Sequence, residues 1–219
     1  MAKKSSTPTA KPAGQAKPAG SSKPSGPSKT LECVARAYLG ESQARNRYTF
    51  YAKIAADEGF EQIAALFRET ADQEKEHAKK LFGYLQDLKK KEKVTDLKID
   101  GVGVPMDFGT TLENLKAAAG GERYENQIMY PEFAKIAESE GNKDIATGFS
   151  TIKSAEIHHE ERYNKLIAVV ENETVFKKEE KTWWVCRECG YMIEATEPPT
   201  KCPLCGKSHA FYQVKAEEY

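Results

Sequence analysis

Residues 63–88 read IAALFRETADQEKEHAKKLFGYLQDL. Ile63, Phe67, Thr70, Glu74, His77, Leu81, Tyr84 and Leu88 recur in this stretch at alternating steps of four and three, which is one face of a long helix. Residues 145–170 repeat the pattern with Ile145, Phe149, Ile152, Glu156, His159, Tyr163, Leu166 and Val170, each 82 residues after its counterpart. The offset also holds upstream, where Ala52-Lys53-Ile54-Ala55 recurs as Ala134-Lys135-Ile136-Ala137 and Gly59 as Gly141. The chain therefore duplicates a helix pair. Gly59 and Gly141 are placed to end the first helix of each pair in a tight turn. Residues 89–110, with Asp100-Gly101, Gly103 and Pro105, break the helical period and join the pairs. The expected fold is mostly α: four helices, short loops within each pair and one long crossover, the topology of a ferritin-like bundle.

Glu74 and His77 fall on the apolar face, as do Glu156 and His159. Residues three apart point to the same side of a helix. A buried carboxylate costs several kcal/mol unless it is paired or neutralised, so two such pairs at equivalent places are hard to explain as packing. The first helix of each pair supplies another acid. Glu41 continues the stripe Leu31, Val34, Tyr38, and Glu122 follows Leu115 and Ala118. Two Glu and two Glu-x-x-His facing inward form the di-iron or di-manganese carboxylate constellation, a donor set suited to those ions. The duplication slips once, because Glu41 precedes Tyr48 by seven residues whereas Glu122 precedes Tyr130 by eight. Seven residues turn a helix by about 700°, back to the same face, and an eighth overshoots by about 100°. A π-bulge between Glu122 and Tyr130 restores the register and brings Glu125 toward the site as a fifth carboxylate. The hydroxyls of Tyr48 and Tyr130 are expected to bond ligand carboxylates, which makes Glu125, Tyr48 and Tyr130 the candidate catalytic residues. His158 and His209 are read as exposed, and Cys33 as a small buried hydrophobe.

The chain has 219 residues, 30% of them charged, with 33 basic and 33 acidic side chains. Mean hydropathy is −0.66, and no apolar run approaches the roughly 20 residues that span a bilayer. No secretory signal is evident, and a cytoplasmic location is expected. Residues 1–29 hold six Lys, five Pro and no acid. Such a segment buries too little to offset its ordering entropy and reads as a disordered tail. A cationic arm on nucleic acid or an acidic surface is its rival reading. The bundle is assigned to residues 30–171, a charged linker to 172–181 and a second small domain to 182–219. That domain carries Cys186-Arg187-Glu188-Cys189-Gly190-Tyr191 and Cys202-Pro203-Leu204-Cys205-Gly206. These are two knuckles whose four thiolates, Cys186, Cys189, Cys202 and Cys205, hold one tetrahedral zinc or iron. Iron is favoured by an expected aromatic core of Trp183, Trp184, Tyr191, Phe211 and Tyr212 and by the electron source that a di-iron bundle needs.

Across residues 30–219 these motifs, together with the runs Glu41-Ser42-Gln43-Ala44-Arg45-Asn46-Arg47-Tyr48 and Gly121-Glu122-Arg123-Tyr124-Glu125, resemble rubrerythrin, with the bundle first and a rubredoxin-like domain last. The resemblance implies a non-haem di-iron peroxidase that reduces hydrogen peroxide to water. Its electrons would come from NAD(P)H through a reductase or rubredoxin and the tetrathiolate iron. It implies iron ligands at Glu41, Glu74, His77, Glu122, Glu125, Glu156 and His159, with Glu74 and Glu156 bridging and with Glu125 and His77 exchanging on one iron. It also implies three irons per chain and a head-to-tail homodimer. The rival reading is a ferritin-like ferroxidase or iron store, which would hold many irons per chain.

Overall fold

The computed structural model describes residues 1–2 and 26–216. The expected disordered tail lies, over residues 3–25, outside the described residues. The bundle is built from α1 (Lys29–Asp57), α2 (Glu61–Glu92), a third helix in three parts, and α5 (Lys143–Glu171). The third helix runs as α3 (Thr111–Tyr124), a π-helical turn (Glu125–Met129) and α4 (Tyr130–Ser139). The π-turn absorbs the extra residue of the second repeat, so Glu122 and Tyr130 are both fully buried.

The helix ends follow from local chemistry. Ser28 caps α1 by accepting from the Leu31 amide, and it donates in turn to Glu92 at the far end of α2. Glu140 accepts from the amides of Lys29 and Thr30, which ties the α4 end to the α1 start. Gly59, at φ +87°, and Gly141, at φ +78°, close Schellman turns. In these, Phe60 N–H donates to Ala55 C=O and Asn142 N–H to Ala137 C=O, at 2.7 and 2.8 Å. α2 runs four residues beyond the expected break after Leu88. Lys89, Lys90 and Lys91 are good helix formers that complement the negative end of the helix dipole, and the chain turns only at Lys93.

The crossover then lies along α1. Arg36 donates to Asp100 C=O at 2.9 Å, Tyr51 to Asp107 C=O at 2.7 Å, and the Thr111 amide to Glu58 at 3.0 Å. Thr110 and Glu113 form a capping box that starts α3.

Two apolar layers fill the bundle. One packs Leu31, Val34, Leu81, Tyr130, Phe149 and Ile152. The other packs Tyr48, Tyr51, Ile63, Phe67, Leu115 and Tyr163. The acidic residues Glu41, Glu74, Glu122 and Glu156, whose helix positions fall between the two sets, are fully buried.

The small domain is a three-stranded antiparallel sheet in the order β2 (Met192–Ala195), β1 (Thr182–Cys186), β3 (Tyr212–Val214). Trp184 is fully buried and donates its indole N–H to Ala195 C=O at 3.0 Å. The expected aromatic core is corrected at Trp183, which is 46% exposed. Neighbours on a strand point to opposite faces, so only one of two consecutive tryptophans can enter a one-sided core. The domain rests on the α1–α2 turn. The Phe60 and Phe176 rings stack with centroids 6.1 Å apart, and His209 meets Phe176 edge-on at 4.9 Å.

A side chain at Gly141 would enter open space, so its positive φ is the only obstacle to substitution. Gly141→Ala is expected to destabilise the bundle by about 1 kcal/mol, read as a lower chemical-denaturation midpoint at unchanged slope.

Candidate metal centres

Glu74 and Glu156 divide their oxygens between two groups. In the first, His77 Nδ1 lies 2.8 Å from Glu74 Oε2, 3.1 Å from Glu156 Oε1 and 3.7 Å from Glu41 Oε2. In the second, His159 Nδ1 lies 2.9 Å from Glu156 Oε2, 3.1 Å from Glu74 Oε1 and 3.6 Å from Glu122 Oε2. Within each group the four donor atoms lie within 4.8 Å of one another. Ligand atoms on an octahedral ion, with bonds of about 2.1 Å, stand about 3 Å apart along an edge. The geometry therefore fits two adjacent ions sharing two carboxylates.

The hydrogen-bond inventory supports the same fit. Glu41 Oε2, Glu74 Oε1, Glu122 Oε2, both Glu156 oxygens and His159 Nδ1 are buried without a hydrogen-bond partner. Orphaned polar atoms in a core are costly unless something answers them. The charges agree. Burial, then the neighbouring acids, raise Glu41 and Glu125 well above the carboxylate range and push Glu122 up to about 8. Glu74, against the same burial, is held down at about 2 by the two imidazoles. Burial opposes charge on His159, but Glu122, Glu156 and Glu74 push it up to about 12. Without cations, the acids hold protons here that two divalent ions would displace.

The tyrosines cross the repeats. Tyr48 on α1 donates to Glu122 Oε1 at 2.5 Å, and Tyr130 on α4 donates to Glu41. Each half thus orients the outer carboxylate of the other, and the two phenols act through those carboxylates as positioning residues. Glu125 belongs to neither group of four. It stands beside α1, its Oε1 3.7 Å from where a Cβ on Gly40 would be. Gly40 adjoins Glu41 in the chain, so Glu125 stands on the Glu41 side, that of the first group.

The two histidines differ in their outer support. His159 Nε2 bonds Gln73 Oε1 at 2.9 Å, and Arg162 donates to the same oxygen at 3.1 Å. That bond assigns the ring proton to Nε2 and frees Nδ1 as a donor to metal. No comparable anchor holds His77 Nε2 among the described residues, and the His77 side chain is 16% exposed. Gln73 was missed in the sequence, yet its signal is there. The 82-residue offset pairs it with Ala155, a break in the duplication next to a ligand. His158 and His209 are exposed, and Cys33 is buried with its thiol pushed up to about 11 by burial.

In the small domain, Cys186 Sγ lies 3.7 Å from Cys205 Sγ, and Cys189 Sγ lies 3.7 Å from Cys202 Sγ. Sulfur atoms on a tetrahedron with bonds of about 2.3 Å stand about 3.8 Å apart. The two knuckles are equivalent in shape. Gly190, at φ +75°, donates to Cys186 C=O at 2.8 Å, and Gly206, at φ +78°, donates to Cys202 C=O at 2.9 Å. All four sulfurs fit one ion. No helix among the described residues is long and apolar enough to cross a membrane.

Two outcomes follow for the metal-free chain. Glu122 and His159 both have folded values above their unfolded ones. Above about pH 4.5 the folded state therefore binds more protons than the unfolded state, and stability falls as pH rises. Thermal melts of metal-free protein should drop between pH 5.5 and 8, and metal loading should remove the trend. Gln73→Leu should weaken metal binding about tenfold or more, measured by competition with a chelator.

A family model described as rubrerythrin matches residues 32–167, and one described as the rubredoxin-like domain of rubrerythrin matches residues 184–213. A putative rubrerythrin of Methanocaldococcus jannaschii is 52% identical over 193 residues, covering 87% of this chain and 95% of that one. The rubrerythrin of Nitratidesulfovibrio vulgaris is 41% identical, covering 85% and 94%. Nigerythrin in its fully reduced, all-ferrous state superposes with a TM-score of 0.57 at 31% identity, covering 90% of this chain and 91% of that one. With both domain matches, the paired carboxylate–histidine groups and the four-sulfur site in one polypeptide, the chain belongs to the rubrerythrin family and carries donor sets for a di-iron centre and a third iron.

Proposed function

We propose that this member of a family of peroxidase-type oxidoreductases reduces hydrogen peroxide to water in the cytoplasm. Electrons would come from NAD(P)H through a reductase or a rubredoxin. The observation that carries the reading is the sharing of Glu74 and Glu156 between two donor groups in a chain that also holds a four-thiolate site. An iron store needs no such electron carrier, so the domain weighs against the ferroxidase reading. In this proposal residues 30–171 form the reacting unit and residues 182–219 the electron relay. The metal ligands are Glu41, Glu74, His77, Glu122, Glu125, Glu156 and His159 in the bundle, and Cys186, Cys189, Cys202 and Cys205 in the relay.

When bound, the two irons would supply two electrons to peroxide and polarise its O–O bond. The protein's own groups do the rest. Glu74 and Glu156 fix the spacing of the two positions, and Tyr48 and Tyr130 hold Glu122 and Glu41 in orientation. His159, locked by Gln73, keeps the second position constant. His77 has no such lock, and Glu125 lies on the same side of the cluster. That asymmetry supports an exchange of His77 and Glu125 at the first position. Glu125, its carboxyl raised by burial, also holds a proton next to a cavity that opens to solvent.

The small domain rests on the α1–α2 turn, with Ala210 packed against Gly59. Glu74 lies 15 residues further on, roughly 20 Å along the helix axis. That distance is long for electron transfer within one chain. It supports a head-to-tail homodimer in which each small domain serves the other bundle.

A chain truncated after Lys178, reduced and mixed with peroxide, should oxidise once and then fail to cycle with NAD(P)H and a reductase. Cys186→Ser should behave alike, losing the tetrathiolate absorption while keeping the bundle metal. Full steady-state turnover in both would show that electrons enter the bundle directly, and the relay would be wrong.

A further inference from the structure

One face of α1 reads Arg36, Gly40, Gln43, Arg47, at steps of four, three and four. The crossover passes over this face, pinned by Arg36 to Asp100 C=O on one side and by Tyr51 to Asp107 C=O on the other. Between the pins, Gly101 to Pro105 stand off the helix and roof a cavity of about 460 Å³. Its floor includes Gly40 and Glu125, and Val102, Pro105, Met129 and Phe133 give it apolar walls. Gly40 sits in the middle of a helix, where glycine costs about 1 kcal/mol relative to alanine. What it provides is room, since a side chain there would take up cavity space beside the Glu125 carboxyl, its Cβ 3.7 Å from Oε1.

Both guanidiniums line the cavity, and among the described residues neither has a carboxylate at ion-pair distance. Arg36 donates to a backbone carbonyl, and Arg47 lies near the Tyr51 hydroxyl, which itself donates to Asp107 C=O. Hydrogen peroxide is neutral and small, and it needs neither the charge nor the apolar walls. Cationic groups at the ends of an apolar slot fit an organic anion.

Resting on the peroxidase reading above, we propose that this cavity binds organic hydroperoxides that carry a carboxylate. The hydroperoxide end lies at Gly40 and Glu125, and the carboxylate lies on Arg36 or Arg47. Those arginines are four and seven residues from Gly40, so the two ends of the ligand are about 6 to 10 Å apart. That span matches a short fatty-acid chain. In the reaction the O–O bond breaks, and two electrons come from the reduced bundle centre. Two protons come from solvent through the cavity mouth, and the products are the hydroxy acid and water.

The test uses the full chain in two forms. With zinc loaded in place of iron, hexanoate binding is followed by calorimetry. With iron loaded, kcat/KM is compared for 6-hydroperoxyhexanoate and hydrogen peroxide. Arg36→Gln with Arg47→Gln should weaken hexanoate binding about tenfold and lower the ratio of the two kcat/KM values by a similar factor. Retention of both bundle metal ions, counted by metal analysis, reports that the variant bundle is folded. Unchanged hexanoate affinity, or an unchanged ratio, overturns the proposal. Turnover of hydrogen peroxide without any hexanoate binding overturns it while leaving the peroxidase reading standing. Arginine-dependent hexanoate binding with neither peroxide turned over does the reverse: it upholds the carboxylate site and removes the peroxidase reading.

Discussion

Four carboxylates buried at one level of a helical bundle would repel one another and fail to hold their charge. Glu41, Glu74, Glu122 and Glu156 occupy that level, all fully buried. Much of the bundle's detail answers this one electrostatic demand. Two imidazoles enter the same layer, two phenols donate to the outer acids, and several oxygens are left pointing at two common positions. Apolar layers lie to either side, so the electrostatics of the four acids act at low dielectric. Divalent ions at the two positions would turn the least favourable part of the core into a strongly bound one.

The duplication that builds this layer is symmetric in its ligands and asymmetric in its surroundings. One imidazole is fixed by Gln73 and Arg162, whereas the other has no outer partner among the described residues and is partly exposed. One inner helix is regular, whereas its counterpart carries a π-turn that lifts Glu125 toward the exposed side. The departures from symmetry thus distinguish the two positions, with Gln73 and Arg162 at the second group and Glu125 beside the first. The second is anchored from outside by these two residues, and the first is the more exposed.

The crossover and the small domain belong to the same division. The crossover follows α1 because three polar contacts hold it there, and it leaves an opening where α1 has a glycine. The small domain sits at the far end of the bundle, held by an aromatic stack from Phe60 through Phe176 to His209. The opening beside Gly40 and the seat of the small domain thus lie on separate surfaces of the bundle.

The sequence by itself determined the helix pairs, because alternating steps of three and four residues can be buried only as helices. It also determined the donors, because Glu-x-x-His on an apolar face and paired Cys-x-x-Cys knuckles have few other physical uses. Even the π-turn was legible, since an eight-residue spacing cannot keep two side chains on one face of a regular helix. Tertiary structure decided what depends on contacts between distant elements. The end of α2 at Glu92 is held by Ser28 at the start of α1, whose amide and hydroxyl both donate to the Glu92 carboxylate. Which of two adjacent tryptophans enters the small core followed from the strand's orientation in its sheet. That Tyr48 would serve Glu122 and Tyr130 would serve Glu41 needed the two halves to be brought face to face. The division of Glu74 and Glu156 between two metal positions needed the same thing, because spacing along a helix fixes which side a carboxylate faces but not which neighbours its two oxygens meet.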